Sequence, residues 1–173
     1  MIHLFRRLAL MVGLIVQCSL LNASTLIDGL YYDLNTSSRT ATVTYETIGT
    51  DNYASLPASV KIPETVTCDG ITFTVTKVAD QAFANCTSLE EISIPGTVTE
   101  IGTTCTSESY LPFYKCTSLI KVKFEDGVQS ISLGVFFSTS EPNSSYCSKG
   151  LFAYCPLQEV YIGRNIFYVN YDS

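Results

Sequence analysis

The sequence holds a single histidine, His3, and that residue lies in a segment that reads as a removable leader. The mature chain then has no imidazole. Ser-His-Asp and Cys-His catalysis as usually built is excluded, and so is a zinc site with a histidine ligand. No Cys-x-x-Cys pair occurs, which argues against a four-cysteine zinc site. No cofactor is implied. Charge is also sparse, at 15% of residues, and short of the positive sign. Of 10 Lys and Arg, Arg6 and Arg7 belong to the leader, which leaves 8 against 16 Asp and Glu. A nucleic-acid backbone would be repelled by that balance. Mild acidity of this kind serves solubility.

What is present starts with export. Arg6 and Arg7 form a positive n-region, Leu8 to Leu21 an apolar core, and Asn22-Ala23-Ser24 a stretch of small residues for cleavage. Residues 1–24 therefore read as a secretory signal peptide. The apolar run is too short to cross a bilayer comfortably, and no transmembrane span is expected in the mature chain. Cys18 raises lipid anchoring as an alternative, although Gln17 is large for the position before a lipidated cysteine. At 173 residues the chain is long enough for one domain with a substantial core.

Residues 25–76 read as β-structure. Leu30-Tyr-Tyr-Asp-Leu34 and Ala41-Thr-Val-Thr-Tyr45 are rich in β-formers and are separated by the polar turn Asn35 to Arg39. Asp69-Gly70 is a hairpin signal before Ile71 to Val78, where apolar and polar residues alternate. Val60-Lys-Ile62-Pro63 resembles Ile92-Ser-Ile94-Pro95, so a degenerate first repeat is expected here.

From residue 77 the chain is periodic. FANCTSLEEISIPGTVTEI from Phe83 returns as FYKCTSLIKVKFEDGVQSI from Phe113 and FAYCPLQEVYIGRNIFYV from Phe152. The shortest return gives a unit of 23 residues, and later returns carry insertions, Thr103 to Pro112 and the Ser138 to Gly150 region. Such a period means stacked units that bury a continuous core. Leu89, Ile92 and Ile94 recur as Leu119, Val122 and Phe124 and as Leu157, Val160 and Ile162. Alternation along a strand turns Ile92 and Ile94 inward and Glu91 and Ser93 outward. Parallel stacking then builds two outward columns, Glu91, Lys121, Glu159 and Ser93, Lys123, Tyr161, the first alternating in sign. Each Phe leads into a turn or short helix that ends in an inward Cys: Cys86, Cys116 and Cys155. The third unit ends at Asn170 to Ser173 without a polar cap, which reads as a fragment of a longer array, or else as an end that pairs with something.

Val78-Ala-Asp-Gln-Ala82-Phe83-Ala-Asn-Cys86-Thr-Ser-Leu89-Glu-Glu-Ile92-Ser-Ile94-Pro95 resembles the BspA-like leucine-rich repeat family of exported proteins. The resemblance covers about residues 60–169. It implies a β-rich α+β fold, a leucine-rich-repeat solenoid with parallel strands and an N-terminal β cap. The chain divides accordingly into leader 1–24, cap and degenerate first repeat 25–76, and repeats 77–173. The resemblance also implies a secreted or cell-surface binding module, adhesin-like and without catalysis. Its ligand would be a protein or glycan on host or neighbouring cells.

Candidate ligand-binding residues are the two outward columns together with Tyr110, Tyr114 and Tyr146 in or beside the insertions. Tyrosine brings a large contact area at low entropy cost. The alternative functions are a carbohydrate-binding accessory module, with these tyrosines stacking on sugars, and a structural spacer of a longer surface protein. Cys105 and Cys147 lie in consecutive insertions and form a candidate disulfide. Glu90-Glu91 and Glu125-Asp126 are the only hint of acid/base chemistry, and neighbouring strand residues face opposite ways.

Overall fold

The structure, a computed structural model, describes residues 24–47, 53, 56–103, 108–134 and 150–168. Those residues form a β-solenoid of about three turns, with parallel strands on two sides of one core. One side is a four-stranded sheet in the order β11 (Glu159–Ile162), β9 (Lys121–Phe124), β7 (Glu91–Ile94), β4 (Ser59–Lys61). All its pairings are parallel, and Glu91 lies opposite Lys121, which lies opposite Glu159. The expected strand register is therefore observed. Ser59 to Lys61 supplies the strand of the degenerate first repeat.

The second side was not legible as a sheet. The short apolar pairs that close each unit, such as Val98 and Ile101, lead into β8 (Glu100–Ile101), β10 (Ile131–Leu133) and β12 (Ile166–Tyr168), which stack in parallel beside β6 (Ile71–Val78). Beyond β6 the sheet continues through β3 (Thr40–Thr44), parallel to it, then β2 (Leu30–Asn35) and β1 (Thr25–Ile27), both antiparallel. β5 (Thr65–Cys68) pairs with β6 through the expected Asp69-Gly70 turn, where both residues take positive φ, at 49° and 76°. Two positive φ values are what a tight two-residue hairpin demands. Asp28-Gly29 makes the same kind of turn between β1 and β2. The alternation expected along β6 breaks near its end: Phe73, Val75 and Val78 point inward, and the register against β3 shifts between Ala41 and Thr42. Leu30, Tyr32, Ala41 and Val43 are buried in the same core as the repeats.

The flank between the sheets is built from turns. Where a turn or a short helix was open, the turn is what forms, and the 3-10 helix Glu108–Tyr110 is the only helix among the described residues. In each unit the amide of Cys bonds to the carbonyl of Phe three residues before it, at 3.0 to 3.2 Å. The residue before each Cys is left-handed: Asn85, Lys115 and Tyr154 have φ of 64°, 56° and 68°. This places φ > 0 at the third residue of a four-residue turn, and the unit repeats that strain without glycine.

Phe83, Phe113 and Phe152 stack face to face at 5.4 and 5.1 Å, and Tyr53 extends the ladder at 5.1 Å from Phe83. Tyr53 is the aromatic of the degenerate repeat. Its hydroxyl donates to the Thr44 carbonyl at 2.6 Å and accepts from the Tyr31 amide at 3.0 Å, tying the ladder to β2 and β3. Cys86 and Cys116 are fully buried, as expected of small apolar fillers, and each repeat thiol points at the carbonyl of the aromatic residue one turn earlier.

Candidate functional site

The outer face of the four-stranded sheet carries two side-chain columns in register. One is Ser59, Glu91, Lys121, Glu159, and the other is Lys61, Ser93, Lys123, Tyr161. They stand outward because Val60, Ile62, Ile92, Ile94, Val122 and Phe124 are buried on the other side. Six candidate residues named from the sequence thus share one surface, and Ser59 and Lys61 join them.

Polar contacts run along each column. Lys121 Nζ sits 3.3 Å from Glu159 Oε1, both side chains well exposed. An exposed pair of this kind contributes about 0–1 kcal/mol. Lys123 Nζ lies 5.5 Å from the centroid of the Tyr161 ring, a cation–π contact worth about 0.5–1 kcal/mol at an exposed site. The Tyr161 hydroxyl donates to Asp126 Oδ1 at 3.0 Å, and that bond to a carboxylate raises the phenol's pKa.

Glu125, at the end of β9, reaches back over Ser93. It accepts from Ser93 Oγ at 2.8 Å and meets Lys61 Nζ at 3.2 Å. Partial burial opposes its ionisation, but the bond from Ser93 and the charge of Lys61 prevail and hold the carboxyl below the usual range. Glu125 and Asp126 are therefore engaged with separate partners and do not converge on one point. Among the described residues no group of three or more His, Cys, Asp or Glu is arranged to hold a metal ion.

The edge of this face turns on glycine. A Cβ on Gly96 would lie 2.4 Å from the Asp126 carbonyl oxygen, and one on Gly127 would lie 3.0 Å from Gly96 Cα. The backbones of successive turns touch here. Arg164 crosses this corner, buried to 8% exposure, and donates to the carbonyls of Pro95 and Gly96 at 2.8 Å each. Burial pushes its pKa down, while Glu125 nearby favours the charge. Sequence reasoning missed Lys61, Glu125 and Arg164 as parts of the face. Lys61 was recoverable, since the Val60-Lys-Ile62 match puts it in the Ser93 column. Arg164 was not, because its partners lie 68 and 69 residues away.

The tyrosines lie elsewhere. Tyr110 and Tyr114 are on the turn flank, not on the sheet. Tyr110 is well exposed in the 3-10 helix, and its carbonyl accepts from the Gln81 amide. Tyr114 meets Tyr154 edge to face at 5.5 Å, with Lys115 Nζ 5.1 Å from its ring centroid. The structure thus divides the candidate residues between a polar sheet face and an aromatic flank. Tyr146, Cys105, Cys147, Cys18 and the leader segment 1–23 fall outside the described residues.

The profile of the BspA type leucine rich repeat region matches residues 25–141 and 65–173, with six copies. The chain belongs to this family. A leucine rich cell surface protein from Faecalibacterium prausnitzii A2-165 shares the fold, with a TM-score of 0.56 and 24% identity. The alignment covers 84% of this chain and 32% of that protein, so this chain spans about a third of its length. A leucine-rich repeat protein from Bacteroides ovatus ATCC 8483 aligns over 83% of this chain and 37% of its own length, with a TM-score of 0.49 and 23% identity. Among curated proteins, none matches this chain.

Proposed function

We propose that this leucine-rich repeat chain is a recognition module of an exported or cell-surface protein, that it binds another protein, and that it performs no catalysis. The observation that carries this reading is the outer face of β4, β7, β9 and β11. Eight outward side chains stand in two straight columns on a backbone fixed by parallel pairing. Rigid spacing lowers the ordering cost of binding, and alternating Lys and Glu give a pattern that a partner of opposite pattern can match. Residues 1–24 direct export, residues 25–76 close the N-terminal end of the array, and residues 77–173 supply its repeats. An adhesin-like role toward host or neighbouring cells follows from export combined with such a face.

The Tyr114–Tyr154 pair and the exposed Tyr110, also on the turn flank, favour a second reading: carbohydrate binding by an accessory module. The two are separated by presenting the purified chain, residues 25–173, to arrayed extracellular-matrix proteins and to arrayed glycans. Saturable protein binding supports recognition through the sheet. A glycan signal abolished by Tyr110→Ala with Tyr114→Ala supports the accessory module. Silence on both arrays from a folded chain supports a spacer and counts against both.

A further inference from the structure

The repeat cysteines form a column whose chemistry the binding role does not use. Cys116 Sγ donates to the Phe83 carbonyl at 3.0 Å, and Cys155 Sγ donates to the Phe113 carbonyl at 3.3 Å. The two thiols therefore make the same contact one turn apart. The aromatic rings of those turns are 5.1 Å apart, Phe113 to Phe152. Stacked strands repeat at about 4.8 Å, and disulfides join residues whose Cα atoms are roughly 4.4–6.8 Å apart. Neither cysteine is in a disulfide in the structure. Their surroundings differ: Cys116 is fully buried, whereas Cys155 is only half-buried.

We propose that Cys116 and Cys155 are a modification site, a dithiol that closes to an inter-turn disulfide when a small-molecule disulfide oxidises it. The Cys155 thiolate attacks one sulfur of the oxidant, forms a mixed disulfide and releases one thiolate. The Cys116 thiol attacks the Cys155 sulfur, and its proton passes to the second oxidant thiolate as that leaves. Two protein thiols are oxidised, one disulfide is reduced to two thiols, and the chain loses two hydrogens. Attack starts at Cys155 because that sulfur is the reachable one. Cys86 and Cys116, both fully buried, lack such an entry point. Closure would fasten the turn of β11 and β12 to the turn before it.

The sequence allows a clean test. Cleavage after Lys and Arg puts Cys116 in residues 116–121 and Cys155 in residues 150–164, with Cys68, Cys86, Cys105 and Cys147 in other peptides. The folded chain is treated with glutathione disulfide, digested without reductant and read by mass spectrometry. The expected product joins 116–121 to 150–164, with two hydrogens lost. Cys116→Ser should leave a persistent glutathione adduct on Cys155. Cys155→Ser should leave Cys116 unmodified over the same time. Recovery of both peptides unlinked, a stable glutathione adduct on wild-type Cys155, or a link from Cys155 to another cysteine would overturn the proposal. So would equal formation of the 116–155 link in denaturant, since the preference would then owe nothing to the fold.

Discussion

Phe113 sits between Phe83 and Phe152 in the ladder, fully buried, with a ring on each face. Phe113→Ala would remove both contacts and leave a cavity, and the expected loss is about 3–5 kcal/mol by urea denaturation. A loss below about 1 kcal/mol would show that the ladder does not hold the turns together. Arg164 acts differently, by satisfying two carbonyls of the glycine corner. Arg164→Met would leave them buried without a donor, for a cost of about 1–3 kcal/mol. Lysine, a compact point charge without the guanidinium's fork, should not restore it. Glu125 makes stability pH-dependent. Its folded pKa is depressed by Ser93 and Lys61 against the opposing effect of burial. Its contribution is thus complete above the unfolded carboxyl range and is lost as pH falls through the folded value. In Ser93→Ala, the acid-side fall in stability should become shallower. The Phe and Cys positions of these turns were legible because they recur with one spacing. Tyr53 was not: Tyr53 to Val60 is two residues shorter than Phe83 to Ile92, and the residue type changes. Nor does the sequence announce the left-handed turns, since Asn85, Lys115 and Tyr154 stand where glycine would have signalled them.

At the scale of the strand, the sign alternation Glu91, Lys121, Glu159 was legible because register follows from the repeat and facing follows from the period of two. Lys121→Glu would set three carboxylates side by side and remove the contact with Glu159. The expected loss is on the order of 1 kcal/mol, larger at low salt, from two like-charge neighbours each worth about 0.2–1 kcal/mol. An unchanged urea midpoint would mean that the columns contribute nothing to pairing. The second sheet was illegible for a physical reason. β8 is two residues long, and β10 and β12 are three each, too short to show alternation before stacking defines them. Among the described residues of the four-stranded sheet, β4 and β11 each pair on one edge, while β7 and β9 pair on both. Val160 and Ile162 of β11 are also exposed, although they occupy the inward columns. Amide exchange should therefore be slowest in β7 and β9 and faster in β4 and β11.

Across the whole molecule, one property recurs: the units headed by Phe83 and Phe113 bury their Phe, Cys and Leu, and the last unit packs Phe152, Cys155 and Leu157 half-buried against the same core. Fold and face were legible together, because one period specifies both the core and what it leaves outside. The partition of the candidate residues into a sheet face and a tyrosine flank was not. It depends on where the Thr103 to Pro112 insertion leaves and rejoins the solenoid, and no periodicity encodes that. Recognition by the sheet face is decided by presenting three chains to one matrix-protein array: wild type, a face variant with Lys121, Lys123 and Tyr161 changed to Ala, and a flank variant with Tyr110 and Tyr114 changed to Ala. Saturable protein binding should be lost in the face variant and kept in the flank variant. Binding that survives in a folded face variant and disappears in the flank variant would refute recognition by the sheet.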